Sequence, residues 1–150
     1  MEGLFDEILE SDEIVIKVLK PHKGRYLKSF YWMFCIPLCW PHLIMLLVGS
    51  LFTLPFFIVK GYNNTYYAYT NKRLIVRKGV FGNSYDSLEY KDITSTSVSV
   101  GFLDKKSKTG SITFESPSSH HEHPMTFSCI ENPYQQMNEI KEQINYFNKK

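Results

Sequence analysis

The feature that most constrains this 150-residue chain is one uncharged, strongly apolar stretch. Residues 29–59 contain no Asp, Glu, Lys or Arg over 31 consecutive positions. A transmembrane helix needs about 20 predominantly apolar residues, so this stretch is long enough to cross a bilayer at least once. The sequence therefore predicts an integral membrane protein in which residues 29–59 form the transmembrane segment.

Two prolines and the flanking charges favour a helical hairpin within this stretch. Pro37 and Pro41 lie four residues apart, a spacing that breaks or sharply bends a helix. Both flanks are basic, and the positive-inside rule places basic flanks in the cytoplasm. We predict two short helices, residues 23–38 and 42–60, joined by a turn near the outer interface. The alternative is one strongly tilted span.

Charge is distributed unevenly along the chain. No acidic residue lies between Glu13 and Asp86, whereas ten basic residues do. Basic segments beside an apolar stretch are attracted to the anionic cytoplasmic leaflet. We therefore predict that Arg73, Arg77 and Lys78 contact lipid or a partner protein. Lys105, Lys106 and Lys108 are a second candidate contact, for which the alternative is a solvated loop with no partner.

The expected partners follow from these charges and from what the sequence lacks. They are the lipid of the anionic inner leaflet and a membrane protein or a second copy of the chain. Nucleic acid is not expected, because the sequence shows no base-stacking surface and no DNA-reading helix. The predicted location is the cell membrane, crossed more than once, with the polar domain in the cytoplasm.

Short β-forming segments separated by turn residues follow the apolar stretch. The predicted strands are residues 65–69, 73–78, 85–90, 93–100, 111–115 and 125–129, after a lead-in strand within 12–20 and a short helix over 1–10. Asn71 and Lys72 form a two-residue turn, because Asn tolerates positive φ. Residues 101–110 are predicted as a polar hairpin loop. Asn132 caps a final amphipathic helix that has Pro133 at its first position.

These elements predict an α+β membrane protein with three parts. Residues 1–28 hold the N-terminal helix and lead-in strand, and residues 29–59 hold the transmembrane hairpin. Residues 60–150 form an antiparallel β-sandwich or barrel that the C-terminal helix covers.

One histidine cluster has the composition of a metal site. His121 and His123 share a face of an extended segment, and His120 or Glu122 adds reach, so the pair is a candidate chelate. The alternative is a solvated loop between two strands. No cofactor is expected. The sequence has no nucleophile elbow, no Cys/His pair with an orienting acid and no phosphate-binding glycine loop, so we do not expect an enzyme.

The run Tyr67-Ala68-Tyr69-Thr70-Asn71-Lys72-Arg73-Leu74 resembles the signature hairpin of the bacterial pleckstrin-homology-like family called bPH2. Similar spacing continues through Asp92-Ile93, Gly101-Phe102-Leu103-Asp104, the strand 110–114 and Ile130-Glu131-Asn132-Pro133, so the resemblance covers residues 12–148. It implies a PH-like module, a curved antiparallel sheet with a C-terminal helix. Phosphoinositide binding does not transfer with the fold.

The resemblance implies a non-enzymatic, membrane-anchored protein that acts as a protein-interaction or membrane-surface module. Some family members resemble proteins that give immunity or resistance to membrane-active peptides such as bacteriocins, which suggests that role here. One competing hypothesis is a small transporter or channel component, in which His42 within the apolar stretch relays protons. Another is a metal-responsive membrane sensor acting through residues 120–123.

Overall fold

The computed structural model describes residues 4–5, 7–28, 56, 58–80, 82–117 and 124–149. In chain order they form β1 (Val15–Leu19), β2 (Tyr66–Thr70), β3 (Arg73–Lys78), β4 (Ser84–Glu89), a 3-10 turn (Tyr90–Asp92), β5 (Ser95–Ser99), α1 (Phe102–Ser107), β6 (Thr109–Glu115), β7 (Met125–Glu131) and α2 (Pro133–Asn148). Residues 23–28 and 58–64 are also helical.

The strands form two antiparallel sheets. The first has the order β1-β2-β3-β4 and the second the order β5-β6-β7. β1 pairs with β2 although residues 20–65 separate them in sequence, and Leu19 lies opposite Tyr67. The lead-in strand is therefore part of the same sheet as the strands that follow the apolar stretch.

The main core lies between the two sheets and α2. Alternation along β2 turns Tyr67 and Tyr69 into this core, where the Tyr67 ring stacks on Phe127 with ring centroids 4.7 Å apart. α2 closes the core with Met137 and Ile140, which are buried on one helical face. Each large apolar side chain buried in this way stabilises the fold by about 1.5–3 kcal/mol.

A second, smaller cluster covers the outer face of the first sheet. Ala68 and Ile75 point to this face, and Phe5 of the N-terminal segment is buried against them. The residues described within 4–13 form bends and turns rather than the predicted helix. The spacing of the apolar residues in this segment was therefore not enough to specify a helix.

The structure confirms the predicted β-sandwich covered by a C-terminal helix. The lead-in strand and the six later strands are present, with their ends shifted by a few residues. Within residues 101–110, predicted as a loop, the chain instead forms α1. The turn at Asn71 is present, but Asn71 is not among the described residues with positive φ. Asn132 precedes α2 without a side-chain cap.

The predicted fold class is wrong in its transmembrane hairpin. Among the residues that the structure describes, no helix is long and apolar enough to cross a membrane. α2 has 16 residues and carries charged side chains, whereas a span needs about 20 apolar ones. Most of the stretch 29–59, on which the hairpin was predicted, lies outside the described residues.

Candidate functional site

A buried ion pair joins the N-terminal segment to the start of β3. Arg73 donates to Glu13, with Nη2 2.7 Å from Oε2 and Nε 2.9 Å from Oε1. The Glu13 side chain is 0% exposed and that of Arg73 is 19% exposed. Burial alone would raise the pKa of Glu13, but hydrogen bonds from Arg73 and Thr70 outweigh it and hold the pKa below its usual value.

Side chains of the turn between β2 and β3 form hydrogen bonds to the same N-terminal segment. Thr70 donates to Glu13 at 2.7 Å and accepts the backbone N–H groups of Lys72 and Arg73. Asn71 accepts the N–H of Ile14 and donates to the carbonyl of Asp12. Lys72 adds an exposed ion pair to Glu10. The Thr-Asn-Lys-Arg run therefore holds the lead-in segment in place, and Arg73 takes part through its ion pair with Glu13.

Basic residues gather at the opposite end of the first sheet. We call this the basic end and define it by four exposed lysines, Lys20, Lys23, Lys28 and Lys78. The antiparallel register brings the end of β1, the start of β2 and the end of β3 together, because Leu19 pairs with Tyr67 and Tyr66 pairs with Arg77.

The two short helical segments also meet at the basic end. The rings of Tyr26 and Tyr62 lie 5.6 Å apart, centroid to centroid. A Cβ placed on Gly61 would lie 3.6 Å from Val80 in the turn between β3 and β4. Lys20 donates to the Tyr66 hydroxyl and lies over the Tyr62 ring at 4.9 Å from its centroid. The described helical segments on either side of the uncharged stretch, 23–28 and 58–64, therefore lie close together beside these lysines.

Arg77 and Lys78 differ in how they are held. Arg77 is half-buried, donates to Asn83 at 3.0 Å and lies 5.8 Å from the centroid of the Tyr85 ring. Its buried Nε has no hydrogen-bond acceptor in the described part of the chain. Lys78, at the end of β3, is exposed. Of the first predicted contact group, Arg73 is thus turned inward, and Lys78 presents its charge to solvent.

An ion pair ties α1 to the helical segment 23–28. Arg25 Nε donates to Asp104 Oδ1, and both side chains are 18% exposed. Asp104 also accepts the backbone N–H of Gly101 at 3.1 Å and the hydroxyl of Thr109 at 3.4 Å. The hydrogen bond from Arg25 is the main reason why the pKa of Asp104 lies below its usual value. α1 is therefore fixed beside the basic end.

The second predicted contact group lies on and just after α1. Lys105, Lys106 and Lys108 are all exposed. Lys105 and Lys108 line a groove of about 390 Å³, whose other wall is the first turn of α2 with Pro133 and Tyr134. The structure thus places this group on a helix that Arg25 contacts, whereas the sequence predicted it in a polar hairpin loop over residues 101–110.

The predicted metal ligands fall elsewhere. His121 and His123 lie outside the described residues. Within the described ranges, no group of three or more His, Cys, Asp or Glu side chains is placed to hold a metal ion. The metal site therefore stays a prediction.

Sequence reasoning missed Glu13, Arg25 and Asp104 as functional positions. Nothing local in the sequence shows that Glu13 meets Arg73 or that Arg25 meets Asp104, because the partners lie 60 and 79 residues apart. One signal for α1 was available. An acidic residue three positions after Gly101 suits the first turn of a helix, where Asp104 accepts the Gly101 N–H.

Comparison with known proteins gives matches that cover most of the chain. The profile of a family described as Bacterial PH domain, bPH_2, matches residues 9–145. A crystal structure of a DUF1696 family protein with a pleckstrin-homology domain, from Shewanella loihica PV-4, is similar at 15% identity and a TM-score of 0.47, over 95% of this chain and 88% of that chain. No curated protein matches the sequence. The profile match spans all seven described strands and most of α2.

Proposed function

Because the chain belongs to the bacterial PH domain family, we propose that it is a non-catalytic interaction module whose basic end binds an anionic lipid surface. PH domains commonly bind lipids or proteins, and the family is generally non-catalytic. For this chain the proposed ligand is lipid, and the basic end is the part of the domain that contacts it.

One observation carries the proposal. Four exposed lysines share one end of the sheet with the two helical segments between which the uncharged sequence runs. Lysines gathered at one end of a domain match an anionic bilayer surface, because each lysine near that surface is attracted to the headgroups by about 1 kcal/mol. On this basis we expect the protein at the inner face of the cell membrane.

The test compares lipid surfaces that differ only in charge. Full-length protein is mixed with vesicles of phosphatidylcholine alone and with vesicles that also contain phosphatidylglycerol. The variant Lys20→Gln/Lys23→Gln/Lys78→Gln should bind the anionic vesicles about 100-fold less tightly, since each lysine near such a surface contributes about 1 kcal/mol. Binding of the parent protein should weaken as salt is raised, because salt screens exposed charges.

A matched control removes the same charge from the other end of the molecule. Lys91, Lys141 and Lys149 are exposed, and the contact of Phe147 with Tyr90 places the end of α2 beside the 3-10 turn, at the far end of the sandwich. The variant Lys91→Gln/Lys141→Gln/Lys149→Gln should bind nearly as the parent does. Equal loss in both triple variants, or equal binding to the two kinds of vesicle, would contradict the proposal.

The other hypotheses from the sequence have less support. No observation on the described residues favours peptide immunity, transport or metal sensing over surface binding. The proposal is therefore limited to the contact between the basic end and lipid.

A further inference from the structure

The outward face of α1 combines one aromatic side chain with two lysines. Phe102 is 88% exposed, the highest value among the large hydrophobic side chains that the structure describes. Residues three and four positions apart share a helical face, so Phe102 lies on the same face as Lys105 and Lys106. Both lysines are exposed. An apolar group flanked by cationic ones is the pattern of a segment that lies at a membrane interface.

The opposite face of α1 is fixed to the domain. Asp104 is two positions from Phe102, which places it on the far side of the helix. Its carboxylate is held by Arg25, by the Gly101 N–H and by Thr109, whose side chain is buried. These bonds prevent α1 from turning Phe102 toward the core. The exposure of Phe102 is thus imposed by the ion pair on the other face.

We infer that α1 is a membrane anchor in which Phe102 enters the boundary between headgroups and acyl chains while Lys105 and Lys106 bind anionic headgroups. This inference rests on the proposed function, and it adds a second contact of a different kind. The basic end supplies charge alone, whereas α1 supplies an apolar group that stays in contact when salt screens the lysines.

The position of α1 favours a bilayer over an acidic protein as the occupant. Arg25, which holds α1, lies four residues before the uncharged stretch that starts at residue 29. Arg25 belongs to the helical segment 23–28, which also carries Lys23 and Lys28 of the basic end, so the ion pair joins α1 directly to that end. The charge fits the same occupant, because no ion pair to Lys105, Lys106 or Lys108 is formed within the described ranges.

The test measures how deeply residue 102 enters the bilayer when the whole 150-residue chain is bound to vesicles. The two native tryptophans, Trp32 and Trp40, are replaced by Phe, and a single tryptophan is introduced as Phe102→Trp. The control is Tyr146→Trp in the same background. Tyr146 is 70% exposed and lies 13 residues along α2 from its start, about 20 Å from the α1 groove. Both proteins are bound to phosphatidylglycerol-containing vesicles with brominated acyl chains.

We expect bromine to quench the tryptophan at position 102 and to shift its emission to the blue, while the tryptophan at 146 stays unquenched. In the protein with its native tryptophans, Phe102→Ser should lower the vesicle partition coefficient about tenfold at high salt. Tyr146→Ser should have little effect under the same conditions. A tryptophan at 102 that is not quenched overturns the inference. The inference is also overturned if a polyglutamate peptide, added in the absence of vesicles, binds over that tryptophan and shields it from solvent, because an acidic protein would then be the better occupant.

The two proposals fail in different ways. One outcome is that the Lys20→Gln/Lys23→Gln/Lys78→Gln variant loses the preference for anionic vesicles while the tryptophan at position 102 is not quenched. The proposed function would then stand, and the inference that α1 is an anchor would be rejected. Binding that does not depend on lipid charge would remove both, because the lysines of α1 would then also lack a role.

Discussion

Arg73 places its guanidinium group on the fully buried carboxylate of Glu13, a residue 60 positions earlier in the chain. The pair links the N-terminal segment to the turn between β2 and β3. The N-terminal segment in turn covers the outer face of the first sheet through Phe5. This ion pair therefore helps to hold the segment that covers the outer face of the sheet, and its removal should have measurable consequences.

Replacing Glu13 by Ala should lower the free energy of unfolding by about 3 kcal/mol, because Arg73 is left as a largely buried charge without its partner. Urea denaturation measures the change. Glu10→Ala is the matched control, since Glu10 forms an exposed pair with Lys72 and should have little effect. Equal losses in the two variants would show that the Glu13 pair is no more important than a surface pair.

Stability should fall in acid because of the same carboxylate. The folded-state pKa of Glu13 lies below its ordinary value of 4.5. A carboxyl with a lowered pKa stabilises the fold above its unfolded pKa and loses that contribution as pH falls through the folded pKa. The urea midpoint of the parent protein should therefore decrease from about pH 4.5 downward. Glu13→Gln should flatten this decrease, and an unchanged profile would exclude Glu13 as its source.

Replacing Asp104 by Asn should loosen α1 and cost about 2 kcal/mol, because Arg25 then lacks its carboxylate partner. Hydrogen exchange of the α1 amides is the measurement, and exchange should speed up there more than in β6. Asp86→Asn is the control, as Asp86 is exposed on β4. If α1 amides are equally protected in both variants, the ion pair does not hold the helix.

Gly110 should not tolerate a side chain. A Cβ there would lie 2.8 Å from the Pro133 ring and 2.9 Å from the Ser99 carbonyl oxygen. Gly110→Ala should therefore destabilise the protein by about 1–3 kcal/mol through overpacking between β6 and α2. Gly82→Ala is the control, because no atom lies within 4 Å of a Cβ at that position. Thermal denaturation of the two variants distinguishes the sites.

The strands were predictable because their signal is local. Apolar alternation and β-branched residues mark each strand, and the structure moves their ends by only a few residues. α1 was missed because six residues rich in lysine carry too little periodicity to separate a helix from a loop. The turn at Asn71 was predicted in the right place for the wrong reason, since the side chain of Asn71 binds Asp12 and Ile14.

The candidate site was less predictable, because it depends on contacts between distant parts of the chain. Lys78 and Lys105, which charge patterning selected as contacts, are exposed, and their role as contacts stays a prediction. Charge patterning could not show that Arg73 is paired with Glu13. The membrane span was predicted from the absence of charge in residues 29–59, and the hairpin from Pro37, Pro41 and the basic flanks. Lack of charge is a property of composition, and it does not by itself specify how a stretch folds.

The pairing of β1 with β2 has a consequence for the evolution of the chain. Leu19 and Tyr67 face each other across two neighbouring strands, so the two ends of the 20–65 connection between β1 and β2 lie close together. The entropic cost of closing such a loop rises by only about 0.6 kcal/mol for each doubling of its length. A change in the number of residues between β1 and β2 should therefore cost the sheet little free energy, which leaves the length of this connection free to vary in evolution.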